Sequence, residues 1–190
     1  MPLLPYDVAL AARPQRVLVG GGSGSGKTTL SARIGSVLGV PHVEIDALHH
    51  GPGWVKRPSF EADVEAFTAE PSWTTEWQYS VVRPLLAERA DLLVWLDLPK
   101  AQVMRQVTAR TATRWVRREE LWNGNREPAP WRIFLDRENV IRWAWNTHHL
   151  VEERVDALLA ADPAKPVVRL RSHAESAAWV SGPLAAQART

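Results

Sequence analysis

Cysteine is absent from the 190 residues of this chain. Its absence excludes disulfides, thiolate nucleophiles, cysteine-ligated zinc and iron–sulfur clusters, and it is compatible with a reducing compartment. Long apolar runs are missing as well, since no stretch approaches the roughly 18 to 20 uninterrupted apolar residues of a membrane span. No basic, apolar and small-residue leader opens the sequence. We therefore expect a soluble, cytoplasmic protein that has no membrane partner.

An excess of either charge is also missing. Lysine and arginine number 23 against 21 aspartates and glutamates, a net charge of +2, so composition alone does not indicate a nucleic-acid partner. Phenylalanine (3) and tyrosine (2) are scarce, whereas tryptophan is abundant at 10 residues. The length and the 45% hydrophobic content predict one domain over residues 1–190.

Strand-like and helix-like patterns alternate along the chain. The predicted strands are Arg16–Val19, His42–Ile45, Trp73–Tyr79, Leu92–Leu96 and Val167–Leu170. Helical spacing of apolar residues follows the first of them, from Thr28 to Leu38. Strands that alternate with helices predict an α/β fold, with a parallel sheet covered on both faces.

A glycine-rich loop separates the first strand from the first helix. Its sequence, Gly21-Gly22-Ser23-Gly24-Ser25-Gly26-Lys27-Thr28, satisfies the pattern G-x-x-x-x-G-K-[ST] in the strand–loop–helix context that the pattern requires. Backbone N–H groups of such a loop surround phosphate oxygens, while the lysine reaches the β- and γ-phosphates and the threonine binds magnesium. We predict that the loop, including Thr29, binds ATP and Mg²⁺.

Motifs of other P-loop classes do not occur. The Asn-Lys-x-Asp element of guanine-specific GTPases and the Leu-Ser-Gly-Gly signature of transporter ATPases are both missing. Small P-loop kinases are the remaining natural class. Such enzymes need a lid that shields the reaction from water and arginines that neutralise the transferred phosphoryl group.

A stretch without a sustained period, about 110–137, is the predicted lid insertion. The helix that begins at Pro99 is expected to end near Arg110, where this insertion starts. Nine arginines and no lysine lie between Arg105 and Arg142, which favours bidentate phosphate contact over a general basic surface. We predict catalytic roles for Arg110, Arg114 and Arg137. Five of the ten tryptophans lie in or just after the insertion: Trp115, Trp122, Trp131, Trp143 and Trp145.

Several motifs together carry a family resemblance over about residues 16–160. Besides the phosphate loop they are Asp46-Ala47-Leu48-His49, Gly51-Pro52-Gly53-Trp54, the Trp73–Tyr79 strand, Ala90-Asp91 through Leu96-Asp97-Leu98-Pro99, and Leu121-Trp122-Asn123-Gly124-Asn125-Arg126-Glu127. The chain resembles adenylate-kinase-like P-loop proteins of the type labelled DNA topology modulation proteins, which are related to shikimate, gluconate and nucleoside-monophosphate kinases. The resemblance implies a three-layer α/β/α fold whose five parallel strands run in the order 2-3-1-4-5, with ATP on the loop and a mobile lid.

Asp46 follows the second predicted strand, where ligands bind in open α/β sheets. A carboxylate there could orient or deprotonate an acceptor hydroxyl, the role that the corresponding residue has in shikimate-kinase-like enzymes. The alternative role is a helix or turn cap.

Two acids compete for the magnesium site that Thr28 shares. The pattern favours Asp97, which ends a continuous apolar run, whereas the resemblance favours Glu76, which lies on the strand expected beside the first. Arg171, after the last strand, is expected along the adenine because related kinases place that loop there.

The leading prediction is an ATP- and Mg²⁺-dependent kinase that phosphorylates a small metabolite or nucleotide. The sequence names neither the acceptor nor the oligomeric state. The alternative is a nucleotide-dependent regulator or nucleic-acid-associated ATPase, against which the net charge of +2 counts.

Overall fold

The computed structural model describes residues 3–117, 120–125, 145, 147 and 149–188. Its strands are β1 (Arg16–Gly21), β2 (Trp73–Glu76), β3 (Leu92–Leu96) and β4 (Val167–Leu170). Its α-helices are α1 (Lys27–Leu38), α2 (Ile45–His49), α3 (Phe60–Thr68), α4 (Arg83–Arg89), α5 (Lys100–Arg117), α6 (Leu150–Ala161), α7 (His173–Trp179) and α8 (Ala185–Gln187). A π-helical segment, Val180–Leu184, joins α7 to α8, and 3₁₀ turns cover Pro52–Trp54 and Trp122–Gly124.

The strands form one parallel sheet in the order β2-β1-β3-β4. Successive side chains of a strand point to opposite faces, and β1 shows the result. Val17 and Val19 join a hydrophobic cluster that contains residues of α1, α7 and the π-helical segment. Leu18 joins a second cluster that contains residues of α3, α4 and α6. The predicted α/β fold with a helix-covered parallel sheet is confirmed.

The prediction of five strands is wrong for the described residues, and the predicted strand order is not confirmed. The segment expected as the second strand makes a single parallel bridge, between His42 and Thr74. Three residues after His42, the N–H of Ile45 donates to the Glu76 carboxylate instead of a backbone carbonyl (3.1 Å), and α2 begins there. A side chain of β2 thus replaces the next rung of the ladder.

Helix α5 extends well beyond Arg110, where the pattern predicted that it would fade, and is described as far as Arg117. Most residues of its second half are polar, so the apolar stripe of the helix narrows there although the helix itself continues. Arg110 and Arg114 both belong to this helix and, four residues apart, lie on one face of it. The rest of the predicted lid, including Arg137, lies outside the described residues apart from 120–125.

The outer edge of β4 is paired with the segment around Leu4. The N–H of Leu4 donates to the Val167 carbonyl (2.8 Å), and the N–H of Arg169 donates to the Leu4 carbonyl (3.0 Å). One parallel bridge, to Val168, results. Among the described residues, no helix is both long and apolar enough to cross a membrane.

Candidate active site

The glycine-rich loop connects β1 to α1. Gly24 and Gly26 have φ angles of 81° and 94°, in the left-handed region that glycine adopts at least cost. Gly24 also packs so closely on α5 that an added Cβ would lie 2.8 Å from the Val107 Cβ. The first turn of α1 contains no acidic residue, so the N–H groups at this helix end are available to an anion.

Lys27, the first residue of α1, is a buried cation, only 7% exposed. Its Nζ donates to the Gly22 carbonyl (3.0 Å). Burial lowers the pKa of Lys27 to about 8, a shift that Asp46 and Glu76 oppose and that Arg110 and Arg154 reinforce. An incoming phosphate would favour the charged form of this amine and raise its pKa again.

One cleft of about 1640 Å³ has the whole loop, Gly21 to Thr29, along its wall. Single small-molecule sites usually occupy roughly 300–1,000 Å³, so the cleft has room for a nucleotide and a second molecule. It brings together Lys27, Asp46, Arg110 and Arg114, all predicted as catalytic. Arg171 is exposed and absent from the lining, and the next turn of chain contributes His173 instead.

Asp46 lies in the first turn of α2 and not at a strand end. Its Oδ1 accepts hydrogen bonds from Gln78 Nε2 (2.9 Å) and from the Tyr79 hydroxyl (2.6 Å). No hydrogen bond to Oδ2 is present among the described residues. The carboxylate is therefore fixed through one oxygen, while the other can accept a bond from a bound molecule.

Tyr79 lines the cleft and was not among the residues predicted for the site. Burial, and then the nearby Asp46, raise the pKa of its hydroxyl, so the group stays protonated and donates to Asp46. The ring stacks on His49 with centroids 3.9 Å apart, and the hydroxyl also lies 3.1 Å from His50 Nε2. Its position just after the acid that ends β2 is the only sequence signal for this role.

The acids predicted for magnesium are both engaged within the protein. Glu76 is fully buried, with one oxygen 2.9 Å from His42 Nε2 and the other bound to the Ile45 N–H. Asp97 pairs with Arg169 (2.6 Å) and does not line the large cleft.

The residues of the site fit a nucleoside triphosphate, and they fit magnesium through Thr28. The hydroxyl of Ser25 is buried in the loop without a hydrogen-bond partner, the helix end presents N–H donors, and Lys27 supplies charge. Thr28 lines the cleft at the position whose hydroxyl holds magnesium in phosphate loops. The described residues contain no cluster of three or more acidic, histidine or cysteine side chains that could hold a metal. The shares of Glu76 and Asp97 in a magnesium shell stay predictions.

Arg83 and Arg154 also line the cleft, and neither was among the predicted site residues. Arg83 begins α4, and Arg154 lies on α6 between the buried Val151 and Val155. An arginine beside the apolar stripe of a helix was the available signal for Arg154. Its convergence with Arg83 depends on the fold and not on any local pattern.

Three solved structures show what this chain is similar to. A gluconokinase from Sinorhizobium meliloti 1021 is 19% identical, with 94% of this chain and 89% of that chain covered and a TM-score of 0.46. A shikimate kinase from Bacteroides thetaiotaomicron is 13% identical, with 88% and 95% covered and a TM-score of 0.46. A sugar kinase from Janibacter sp. HTCC2649 is 17% identical, with 92% and 90% covered and a TM-score of 0.41.

No protein-family model matches the sequence, and no curated protein matches it either. At these TM-scores the structural similarities carry no functional assignment. The resemblance to DNA topology modulation proteins is not confirmed and stays a prediction.

Proposed function

We propose that this chain is an ATP-dependent small-molecule kinase, which transfers the γ-phosphoryl group of ATP to a hydroxyl- or phosphate-bearing acceptor. One observation carries the proposal. Asp46, whose second carboxylate oxygen is available, lines the same cleft as the phosphate loop, and its charge acts on the buried Lys27. A potential proton acceptor and a phosphate cradle thus face a common space.

The chemistry assigns a distinct task to each group. Loop N–H groups and Lys27 bind the phosphates, and Asp46 orients the acceptor hydroxyl and accepts its proton. The acceptor oxygen forms a bond to the γ-phosphorus as the bond to the β–γ bridging oxygen breaks, and ADP leaves. Arg110 and Arg114, on the cleft side of α5, stabilise the negative charge on the transferred group.

Magnesium, held in part by Thr28, supplies charge neutralisation at the phosphate oxygens when bound. Tyr79 and Gln78 keep Asp46 in place through their hydrogen bonds to Oδ1. Since neither contact blocks Oδ2, positioning and proton acceptance use different oxygens of one carboxylate.

The test is ADP release measured across nucleosides, nucleoside monophosphates, sugars and sugar acids. We expect at least one class to stimulate the wild-type protein and Lys27→Ala to abolish turnover. Asp46→Asn should lower acceptor-dependent kcat by about a hundredfold or more, in the range of general-base catalysis, with little change in ATP affinity.

Asp156→Asn is the matched control, because Asp156 is exposed on α6 and absent from the cleft lining. Wild-type-like turnover in Lys27→Ala would refute the nucleotide site. Equal losses of ATP binding and transfer in Asp46→Asn would refute its acceptor role. Stimulation by DNA, with none by any small acceptor, would favour the nucleic-acid-associated ATPase instead.

A further inference from the structure

His50 follows the last residue of α2 and contacts Tyr79, whose hydroxyl donates to Asp46. The ring of His50 lines the cleft, and its Nε2 lies 3.1 Å from the Tyr79 hydroxyl oxygen. That hydroxyl has a single proton, and its 2.6 Å distance to Asp46 Oδ1 assigns the proton to this bond, because a carboxylate is the stronger acceptor. The contact with His50 is therefore a hydrogen bond only if Nε2 carries a proton and donates it.

The neighbouring histidine favours that tautomer of His50. His49 Nδ1 and His50 Nδ1 are 3.4 Å apart, so one of these two nitrogens has to donate. Burial, the largest cause, lowers the pKa of His49, and the charges of His50 and Lys56 act in the same direction. Asp46 opposes them without reversing the shift, so the His49 ring is neutral at neutral pH and carries one proton. When His49 Nδ1 donates that proton, a neutral His50 ring keeps its own proton on Nε2.

The Trp122–Gly124 turn also holds His50. Asn123 donates from Nδ2 to the His50 carbonyl, and the Trp122 ring stacks on the imidazole with centroids 5.9 Å apart. The His50 N–H donates to the Asp46 carbonyl (3.0 Å). Both the backbone and the ring of His50 are thus fixed, and its Nε2 stays directed at Tyr79.

Backbone strain is concentrated around His50. Among the described residues, left-handed backbone outside glycine occurs at Trp54, Tyr79 and Asn123, with φ angles of 63°, 57° and 55°. Each of the three contacts His50: the Trp54 ring meets the imidazole edge-on with centroids 5.2 Å apart, and the other two share hydrogen bonds with it. Bulky side chains adopt this backbone only where their surroundings enforce it, and such residues concentrate at functional sites. The strain is an observation independent of the hydrogen bonds, and it points to the same residue.

We propose that His50 is a positioning residue for Asp46 and acts through Tyr79. Its Nε2–H donates to the Tyr79 oxygen and leaves the hydroxyl proton for Asp46 alone. With the His50 proton on Nδ1 instead, Nε2 would compete for the Tyr79 proton, and Asp46 would lose a hydrogen bond at Oδ1. The proposal rests on the proposed function only for the task of Asp46 towards an acceptor.

Nitrogen-15 NMR of protein with labelled histidines tests the bond without any acceptor. The ring shifts distinguish the two tautomers, and the signals that disappear in His50→Gln assign the residue. Wild type should show His50 with its proton on Nε2. In Tyr79→Phe this N–H loses its acceptor, and its exchange with water should accelerate about fivefold, the effect of one hydrogen bond.

Kinetics with the acceptor class that stimulates ADP release most strongly test the positioning role. His50→Leu removes the donor and should lower kcat about fivefold or more, with KM for ATP nearly unchanged. His50→Gln, whose amide N–H takes the place of Nε2–H, should retain most of the wild-type kcat. In a Tyr79→Phe background, which already has a lowered kcat, His50→Leu should cause no further loss, because both variants break one network.

His149→Leu is the matched control, because His149 is exposed and lies outside the cleft lining. A His50 proton on Nδ1 in the wild type would overturn the proposal, as would unchanged exchange in Tyr79→Phe. Equal kcat losses in His50→Leu and His50→Gln, or losses that add in the double variant, would reduce His50 to a structural role.

Failure of every acceptor to stimulate ADP release would refute the proposed function instead. The NMR measurement then decides the link from His50 to Asp46 by itself: faster exchange in Tyr79→Phe would support it, and unchanged exchange would overturn it. The same measurement decides the link if His50→Leu does not fold.

Discussion

Lys27 is held in a state that a nucleotide would change. Its ammonium is buried, and the charges of nearby carboxylates and guanidinium groups act on it in opposite directions; burial has the largest effect, so its pKa falls to about 8 from 10.5. Between these two values the unfolded chain binds more protons at this residue than the folded chain does. The contribution of Lys27 to the free energy of unfolding therefore rises with pH across that interval. The charged form is the one that the fold disfavours and that phosphate stabilises.

Proton uptake on nucleotide binding follows from this low pKa. At about pH 9, ATP binding should draw a proton onto Lys27, because phosphate oxygens favour the ammonium form. Calorimetric titration in two buffers of different ionisation enthalpy measures the number of protons taken up. Lys27→Arg should abolish the uptake, since arginine stays charged at that pH. The same uptake in Lys27→Arg, or none in the wild type, would contradict the expectation.

The loop residues that the sequence assigned to ATP lie together in the cleft because they are chain neighbours, and their roles stay predictions. The phosphate loop is one continuous motif, and its backbone geometry follows from its glycines. Tyr79 and Arg154 were missed because each reaches the cleft from a separate element, and no local pattern encodes that meeting. Asp46 lines the cleft, although it lies on a helix turn and not at the predicted strand end, and its role stays a prediction.

At the scale of elements, the phosphate loop and α5 are in direct contact. Gly24 lies against Val107 of α5, and Arg110 and Arg114 follow on the same helix. The loop conformation and the arginine positions are consequently linked through one close contact. Periodicity did not predict the full length of α5, because a surface helix rich in arginine shows too few apolar positions.

Gly24→Ala tests that link. The change places a Cβ in left-handed backbone, which costs roughly 1–2 kcal/mol, and also forces it against Val107, where overpacking typically adds about 1–3 kcal/mol. Gly39→Ala is the control, because Gly39 has a similar φ of 68° and nothing within 4 Å of the added atom. Chemical denaturation should show the larger loss of stability for Gly24→Ala, and ATP affinity should fall in that variant alone. Equal losses of stability and of ATP affinity in both variants would show that α5 shifts to accommodate the added methyl group, and that the contact between the loop and α5 has no effect on ATP binding.

A second contact between elements fastens the Trp122–Gly124 turn to the loop after α2. Asn125 is buried and donates from Nδ2 to the Gly51 carbonyl (2.9 Å), while its Oδ1 accepts from the Trp54 N–H (3.0 Å). The turn belongs to the segment predicted as a lid. In the described structure this part of the segment contributes to the cleft lining through Leu121 and Trp122, together with His50 and Trp54.

Across the whole molecule, tryptophans from three separate segments border one cleft. Trp54, Trp77 and Trp122 all belong to its lining. A ligand in the cleft changes the surroundings of these indoles, so binding of ATP and acceptor should alter the intrinsic fluorescence. Trp122→Phe should reduce the change, whereas Trp145→Phe, at an exposed site outside the lining (55%), should leave it nearly intact. A fluorescence change that survives in Trp122→Phe and disappears in Trp145→Phe would place the response elsewhere.

The layered architecture was predictable because continuous apolar strands alternate with amphipathic helices. The strand count was not, since His42 and its neighbours have a strand-like composition but form only one β-bridge with β2, at Thr74. Whether an outer segment becomes a strand depends on single hydrogen bonds, here the one from Ile45 to Glu76. Sequence periodicity cannot predict an outcome that depends on the free energy of one hydrogen bond.

The pairing of Leu4 with β4 has a practical consequence for anyone who handles the protein. Exposed strand edges are templates for association with other chains, and the residues around Leu4 occupy the outer edge of β4. Removal of these residues to obtain a shorter fragment would leave the outer edge of β4 unpaired and open to association with other chains. Affinity tags and labels are therefore better attached beyond α8, where they leave this backbone pairing undisturbed.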